Sequence, residues 1–390
     1  MTHFFAFDEL TWPEVAALRR DTPLVIPLGQ GYNLSRLAEA LGDPRTAGIL
    51  PAIPYGWPGS GLSVGGGRLE AGDPFARLVS NLLDSLQDDG FSRVYALHPQ
   101  GLKLGLGPRG LAQWHSSQLR AASPLPADVD RDKCVLVPIG HTEQHGHHLP
   151  LSTDTLIIAA IGQGTAAATP DLAVCLPPFP YGASTHRASF AGTLNVGGRA
   201  FEDFWLAVVD TLVGRGFRLH YLMSGHGGNC SFLVNVVKYA GERHRRIFCA
   251  TAWLHTNGHI AGPVLSATRR SGRGGMGHAG ELETAMILAL RPDLTRMERV
   301  VDETNFVATE SYYMDWIEGG ALVANPPWDD DTATGAYGAG SLATAEHGRL
   351  WLDAAIAEKA THVREIHEQH SRREARREAG YGLWGTTARG

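Results

Sequence analysis

The feature that most constrains this chain is a buried strand that ends in polar residues. The apolar run 135–137 is stopped by Pro138 and Gly140, which favours a short strand followed by a turn. Glu143 and His145 come next and lie two positions apart, so their side chains point the same way in an extended backbone. The strand therefore delivers a carboxylate and an imidazole to one point at its end.

A second carboxylate returns to the same place. Asp154 follows a turn through Gly146 and Pro150, and two carboxylates with an imidazole form a mixed oxygen and nitrogen site suited to zinc or manganese. The alternative is a polar loop that only solvates the strand end. We favour the metal site because Glu-x-His with a nearby Asp directly after a buried strand is an uncommon combination.

Strands and helices alternate along the chain, which predicts an α/β fold with a parallel sheet covered by helices on both faces. The predicted strands are 172–176, 218–223 and 248–254, and the predicted helices are 155–168, 200–215, 281–290 and 341–366. Ligands of such sheets gather outside the carboxyl ends of the strands. His226 follows one of these strands, so we expect it to lie near the predicted metal site.

Two loops are further candidates for the site. Loop 181–193 is rich in Gly, Ser and Thr, and we expect its Ser184 and His186 to contact substrate. A glycine-rich loop ends at His278, directly before a helix that begins with two glutamates, Glu281 and Glu283. Acidic residues in a first turn can simply complement the helix dipole, but this does not account for the histidine. Helical spacing does not choose between the two glutamates.

The first hundred residues resemble a degenerate copy of the following segment. Pro54-Tyr-Gly56 matches Pro180-Tyr-Gly182, and Gly90-Phe91 matches Gly216-Phe217, at one offset of about 126 positions. Generic similarity between two α/β segments is the alternative. At the positions of Glu143, His145, His186 and His226, the copy carries residues that cannot rebuild the predicted metal site: Tyr32, Leu34, Ser60 and Gln100.

These observations predict three parts of the chain. Residues 1–111 form the degenerate partial repeat without metal ligands, which shields a sheet edge, makes a subunit contact or forms a wall of the substrate pocket. Residues 112–370 form the catalytic domain, and 371–390 form a basic, disordered tail. The segment 106–132, with its Gly, Pro and charges, is expected to connect the two copies.

Composition narrows the class of protein. The 390-residue chain has a net charge of -6, which argues against nucleic acid as a partner. Four widely spaced cysteines without a C-x-x-C pair indicate reduced thiols, and the N-terminus lacks the features of a signal peptide. No segment approaches the roughly 18 apolar residues of a membrane span. We therefore expect a cytoplasmic protein that acts on a small molecule, with no nucleic-acid or membrane partner.

Four motifs in a fixed order resemble the creatininase family, also called creatinine amidohydrolases. They are Glu143-x-His145-Gly, Leu149-Pro-x-x-Thr-Asp154, Gly225-His-Gly-Gly-Asn229 and His278-Ala-Gly-x-x-Glu283-Thr. The resemblance implies a three-layer αβα sandwich and a homo-oligomer, usually a hexamer. It also implies two divalent ions per chain, zinc or manganese with iron as a further candidate, whose bridging hydroxide hydrolyses a non-peptide or cyclic amide-type C–N bond.

Carried over residue by residue, the resemblance assigns roles to the motifs. Glu143 and His226 would hold one ion and His145 the other, with Asp154 bridging them. Creatininase completes the second ion with a glutamate where this chain has Gly228, and we expect Glu283 to replace it.

The catalytic candidates are Glu143 and His278, and His278 falls where the family keeps its proton-shuttling histidine. The alternative is that His278 is itself a metal ligand or only supports one by a hydrogen bond. Gly227 stands where creatininase has a tyrosine, so substrate contacts are expected to differ from those to creatinine.

Three other functions are compatible with the same residues. The site could join an amine to an activated carboxyl group, or it could hydrolyse a peptide or a formamide. Third, the chain could be a non-catalytic scaffold that kept the fold. The complete ligand set of the second copy argues against this function. The sequence does not decide the substrate or the metal.

Overall fold

The computed structural model describes residues 1–64, 73–113, 126–185, 189–255 and 257–380. Two parallel sheets organise these residues. The first has strand order β1-β3-β2-β4-β5 and the second β7-β6-β8-β9. The strands are β1 His3–Ala6, β2 Leu24–Pro27, β3 Thr46–Ile49, β4 Val94–Pro99, β5 Gly110–Gln113, β6 Cys134–Ile139, β7 Ala173–Cys175, β8 Leu219–Ser224 and β9 Phe248–Thr251. The predicted α/β class is confirmed.

Nine α-helices are present in the described residues. They are α1 Trp12–Ala16, α2 Leu34–Ala40, α3 Pro74–Asp88, α4 Thr153–Ala168, α5 Gly198–Gly214, α6 Gly227–Arg243, α7 Ala261–Thr268, α8 Glu281–Leu290 and α9 Ala345–Glu378. Alternate residues of β6 pack into different cores: Val135 and Val137 into the core that contains α5, and Leu136 into the core that contains α8 and α9. Helices therefore cover both faces of the second sheet, which gives three layers.

Helix α5 shows why these segments fold as they do. Its apolar residues recur three or four positions apart, which places them on one face of a helix. That face is fully buried at Phe201, Phe204, Trp205, Val208, Val209 and Leu212. At about 1.5–3 kcal/mol for each fully buried side chain, these six stabilise the fold by roughly 9–18 kcal/mol before the loss of conformational entropy is counted.

The two sheets share a connection pattern. The order β3-β2-β4-β5 has the same form as β7-β6-β8-β9. The helices α2 and α3 follow β2 and β3, just as α4 and α5 follow β6 and β7. This shared topology agrees with the proposed internal repeat. The duplication stays a hypothesis, because two α/β units can reach one strand order independently.

The counterpart helices α3 and α5 pack against each other. Arg77 of α3 pairs with Asp203 of α5, 126 residues away, which is the repeat offset. Asn81 Nδ2 donates to the carbonyl of Val196 over 2.6 Å. The backbone N–H of Asn195 donates to Ser85 Oγ over 3.1 Å. One apolar core continues through the α3–α5 contact, so the two units are packed together.

Three sequence predictions about boundaries need correction. Strand β5 lies inside the segment expected to be a connection, because it pairs with β4 and extends the first sheet. Helix α9 continues beyond Ile366 to Glu378, so residues 371–378 are helical where disorder was predicted. Glu374 pairs with Arg246, and Arg377 Nη2 donates to the Arg245 carbonyl over 2.7 Å, which anchors the end of α9. Residues 381–390 of the predicted tail lie outside the described residues.

Among residues 1–64, 73–113, 126–185, 189–255 and 257–380, no helix combines the length and the apolar character that crossing a membrane requires.

Candidate metal centre

The predicted site residues meet where the central strands of the second sheet end. Strands β6 and β8 are neighbours, with Ile139 opposite Ser224 at their carboxyl ends. The loop after β6 carries Glu143 and His145, and His226 lies between β8 and α6. The topology therefore brings these two strand ends together, as the sequence predicted.

Two histidines lie between three buried carboxylates. His226 Nδ1 is 2.9 Å from Glu143 Oε1 and 3.3 Å from Asp154 Oδ2. His145 Nε2 is 3.1 Å from Asp154 Oδ1 and 3.7 Å from Glu283 Oε2. Asp154 thus offers one oxygen to each histidine, which is the arrangement required of a carboxylate that bridges two ions.

Backbone carbonyls fix the protonation of the histidine rings. His145 Nδ1 lies 3.1 Å from the Glu143 carbonyl, and His226 Nε2 lies 3.1 Å from the Ala183 carbonyl. Because a carbonyl only accepts, these ring nitrogens carry the proton. The opposite nitrogens, His145 Nε2 and His226 Nδ1, therefore face the carboxylates, and in a neutral ring they carry the lone pair that a metal would use. Metal-binding histidines are commonly oriented in this way.

The donor set fits a divalent cation. Glu143 Oε1 and Asp154 Oδ2 are buried, and among the described residues neither accepts a hydrogen bond of good geometry. Burial disfavours charged imidazoles, but the adjoining carboxylates outweigh it and raise the pKa of His145 to about 9 and that of His226 to about 10. Surroundings that stabilise protonated imidazoles this strongly also stabilise a bound metal cation, because buried carboxylates require a positive partner.

Glu283 and Glu281 occupy different environments. Burial raises the pKa of Glu283 to about 7, against the influence of His145, and its Oε1 accepts from Trp316 Nε1 over 3.1 Å. Glu281 turns away and accepts the backbone N–H groups of Arg270 and Ser271 at 2.7–3.1 Å. The geometry favours Glu283 as the ligand, the choice that helical spacing left open.

Position 228 has no room for a side chain. A Cβ atom there would lie 2.4 Å from His226 Nε2 and 2.6 Å from the Ala183 carbonyl oxygen. The carboxylate that creatininase has at this place therefore cannot be accommodated without moving the His226 ring. At the neighbouring Gly227, a Cβ would meet the Trp316 ring at 3.3 Å, so the indole occupies this space.

His141 also belongs to the site, although the sequence analysis did not select it. Its Nδ1 accepts the N–H of Gly182 over 2.9 Å, so a neutral ring carries its proton on Nε2, which lies 3.9 Å from Glu143 Oε2. Its ring lies 4.4 Å from that of His226. The sequence did indicate His141, since it precedes Glu143 by two positions, the same spacing by which His145 was identified.

The three residues predicted to contact substrate have different positions. Ser184 is buried, with its Oγ 3.5 Å from Glu143 Oε2, so it contacts the candidate ligand. Gly227 lines the cavity above the centre. His186 lies outside the described residues.

His278 faces the centre through one ring nitrogen. Its Nε2 lies 2.7 Å from the Gln144 carbonyl and therefore carries the proton, while Nδ1 is 3.6 Å from Glu143 Oε1. Burial and the neighbouring His145 lower the pKa of His278 to about 3, so the ring is neutral. The Trp328 ring packs edge-on against it at 4.7 Å. His278 also forms a possible ligand group with Glu143 and His145, so the geometry allows both predicted roles.

A cavity of about 430 Å³ opens above these residues. Its floor contains Glu143, Asp154, His226, His278 and Glu283. Five aromatic residues line its wall: Phe232, Trp253, Tyr312, Trp316 and Trp328. No lysine or arginine is present among the described residues that line it. Such a cavity suits an uncharged, partly flat group beside a polar bond.

The chain was compared with known families and proteins. A model of the creatininase family, described as creatinine amidohydrolase, matches residues 122–363. A mycofactocin precursor peptide peptidase of Mycobacterium ulcerans is 32% identical over 222 residues, which cover 55% of this chain and 78% of the relative. A creatinine amidohydrolase of Pseudomonas putida is 28% identical over 256 residues, covering 61% and 92%.

Solved structures give a similar result. A crystal structure of creatinine amidohydrolase matches with a TM-score of 0.53 and 25% identity, covering 60% of this chain and 91% of that one. A structure described as creatininase Mn matches with a TM-score of 0.52 and 25% identity, covering 61% and 92%. The matched family segment contains the whole candidate metal centre and leaves the first sheet outside it.

Proposed function

Because the chain belongs to the creatininase family, we propose that it is a dinuclear metal-dependent amidohydrolase that cleaves an amide-type C–N bond. The observation that carries this proposal is that two ring nitrogens, His145 Nε2 and His226 Nδ1, converge on three buried carboxylates, those of Glu143, Asp154 and Glu283. Such an arrangement is unfavourable unless cations lie between these groups.

Five residues would hold the ions. Glu143 and His226 would bind one ion, His145 and Glu283 the other, and Asp154 would contact both. Two divalent ions bound there would supply a strong Lewis acid that activates water near neutral pH and polarises the substrate carbonyl. The Ala183 and Glu143 carbonyls would hold the two histidine rings, and the His141 ring would lie beside Glu143, with Nε2 3.9 Å from Oε2.

His278 would handle the proton. An amide anion is too basic to leave, so the departing nitrogen must be protonated. The His278 Nδ1 lone pair faces the centre, while Nε2–H is held by the Gln144 carbonyl. A neutral ring in this orientation can take a proton at Nδ1 from the attacking water and return it to the nitrogen. The Trp328 contact would keep the ring in place.

The substrate class remains divided between two candidates. The sequence analysis favours a small non-peptide or cyclic amide, and one relative is named a creatinine amidohydrolase. The aromatic-walled cavity of about 430 Å³ also has room for part of a short peptide, and other relatives are named peptide peptidases. We place the small amide first and the short peptide second.

Elemental analysis and a substrate screen test the proposal. Purified protein should retain close to two zinc or manganese ions per chain after mild dialysis. Lactams, formamides and short peptides, with and without added amine, should identify the bond that is cleaved or formed.

Two variants of helix α8 provide a matched pair for the metal assignment. Glu283→Gln should lose about one ion per chain, whereas Glu281→Gln should keep both, because Glu281 accepts backbone amides of residues 270 and 271 and does not face the centre. A natively folded protein that binds no metal under any condition would refute the proposal.

A further inference from the structure

The N-terminal segment runs alongside the loop that carries the candidate ligands. Leu151 N–H donates to the Leu10 carbonyl and Ser152 N–H donates to the Asp8 carbonyl, each over 2.9 Å. These two amides immediately precede the start of α4, which contains Asp154. Residues of the first unit therefore hold the backbone just before the candidate bridging carboxylate.

Trp12 makes a second connection between the same units. Its Nε1 donates to the Thr334 carbonyl over 2.8 Å, and its ring lies 5.3 Å from His147 and 5.5 Å from Phe190. His147 is two residues from His145 in the ligand loop. Trp12 also packs against a buried aromatic cluster that includes Trp328, the residue in contact with His278.

The segment itself is held rigidly. Thr11 N–H donates to Glu14 Oε2 over 2.9 Å, which forms part of a capping box at the start of α1. Glu14 also pairs with Arg299 over 3.1 Å, across the boundary between the units. An exposed pair of this kind adds little stability, so the buried backbone bonds and Trp12 are the contacts that matter.

The ligand loop needs such support. Residues 140–152 lie outside the helices and sheets, yet they are almost entirely buried. Buried backbone groups require hydrogen-bond partners, and a loop has no regular ladder to provide them. The carbonyls of Asp8 and Leu10 satisfy two of these groups. Metal sites are sensitive to displacement of their ligands by about 0.5 Å.

We propose that the N-terminal unit serves as an internal brace for the metal centre, in which Asp8, Leu10 and Trp12 are positioning residues for Asp154 and His278. The inference rests on the proposed function. It gives the first unit a role although its own positions Tyr32, Leu34 and Gln100 contribute to no group of metal-binding side chains among the described residues. None of the three positioning residues lines the cavity.

Trp12→Ala tests the brace, with Trp57→Ala as its matched control. Trp57 is a buried tryptophan of the same unit that packs against Phe75, and among the described residues it has no hydrogen bond or ring contact with the ligand loop. In chelator-treated protein, Trp12→Ala should speed hydrogen exchange at the Leu151 and Ser152 amides by about tenfold or more. The amides of β6 should keep their protection. Trp57→Ala should lower the unfolding temperature and leave exchange at those two amides unchanged.

Two further measurements complete the test. Loaded Trp12→Ala should lose metal more readily to a competing chelator and show a larger fall in kcat than rise in KM. Should Trp12→Ala fail to fold, Trp12→Phe, which loses only the Nε1–H bond and part of the ring contact, is compared with Trp57→Phe.

Either of two results would overturn the brace: unchanged protection of both amides, or equal loss of protection in the Trp57 variant. The exchange measurement needs neither metal nor substrate. A wild-type protein without metal or activity would therefore refute the proposed function while leaving this result readable.

Discussion

His278 presents only one ring nitrogen to the candidate centre, and its role can be separated from that of the ligands. We expect His278→Ala to keep both ions and the fold but to lower kcat by about 10²- to 10⁴-fold, the usual contribution of a positioned acid or base. Metal content and single-turnover kinetics measure these two effects independently. His220→Ala is the control, because His220 is buried in β8 away from the cavity lining.

The outcome also decides between the two roles left open for His278. Loss of one ion in the alanine variant would make His278 a ligand. Turnover close to that of the wild type would remove it from the mechanism.

Individual site residues were predictable where local spacing carried the signal. Glu143, His145 and Asp154 were identified because they follow a buried strand, and His226 because it follows the neighbouring strand. Helical spacing did not choose between Glu281 and Glu283, and only the family motif favoured Glu283. The reason that Glu281 turns away is long-range, because the backbone N–H groups of Arg270 and Ser271 donate to it. Long-range contacts such as Trp316 with Glu283 leave no local pattern either.

At the scale of elements, the turn from β8 into α6 makes a prediction about one glycine. Gly228→Ala would place Cβ within 2.4 Å of His226 Nε2, so the ring must move and lose its bond to the Ala183 carbonyl. We expect a loss of about 1–3 kcal/mol in the free energy of unfolding, together with weaker metal binding. Urea unfolding and metal titration measure both.

Helix α6 supplies its own control for this substitution. Nothing lies within 4 Å of a Cβ atom at Gly241, so Gly241→Ala should be neutral or stabilising by up to about 1 kcal/mol through helix propensity. Equal stability and metal affinity of the two variants would show that position 228 tolerates a side chain.

The predicted helices and strands agree with the structure where hydrophobic periodicity was strong. Helix α8 begins and ends as predicted, at Glu281 and Leu290, and α4 and α5 differ by only one or two residues at their ends. Helix α6 was missed because its first residues, Gly227 and Gly228, resemble a loop. The extension of α9 was missed because its charged residues gain their partners, such as Arg246, only in the folded chain.

At the scale of the whole molecule, metal binding should contribute to stability. A ligand that binds only the folded state stabilises it by about 2.7 kcal/mol at 100 times its Kd. Removing the ions would also leave Glu143, Asp154 and Glu283 buried together, with only the protonated imidazoles of His145 and His226 to offset their charge. We therefore expect a chelator to lower the unfolding temperature by several degrees at neutral pH, and zinc or manganese to restore it.

Calorimetry of one preparation before and after chelation measures this change. Asp154→Asn should show a smaller response, since it lacks the carboxylate between the two histidines. Identical unfolding temperatures for the loaded and stripped protein would contradict the prediction.

The general organisation of the molecule followed from the sequence only in part. The offset of 126 residues predicted a repeat, and the matching strand orders agree with it. Which surfaces the first unit covers depends on packing between distant residues, such as Trp12 with Phe190, and no pattern in either segment encodes it. The predicted homo-oligomer stays a prediction for the same reason.

The packing of α3 against α5 does not depend on the concentration of the protein, because both helices belong to one chain. Two surfaces joined by one chain meet at an effective concentration set by the linker, however dilute the protein becomes. Formation of the contact between Arg77 and Asp203 is therefore a first-order process. It persists at low protein concentrations, at which an equivalent contact between separate chains would dissociate. The face of α5 that α3 covers is also closed to any second molecule, so each chain has one fewer surface through which it can assemble.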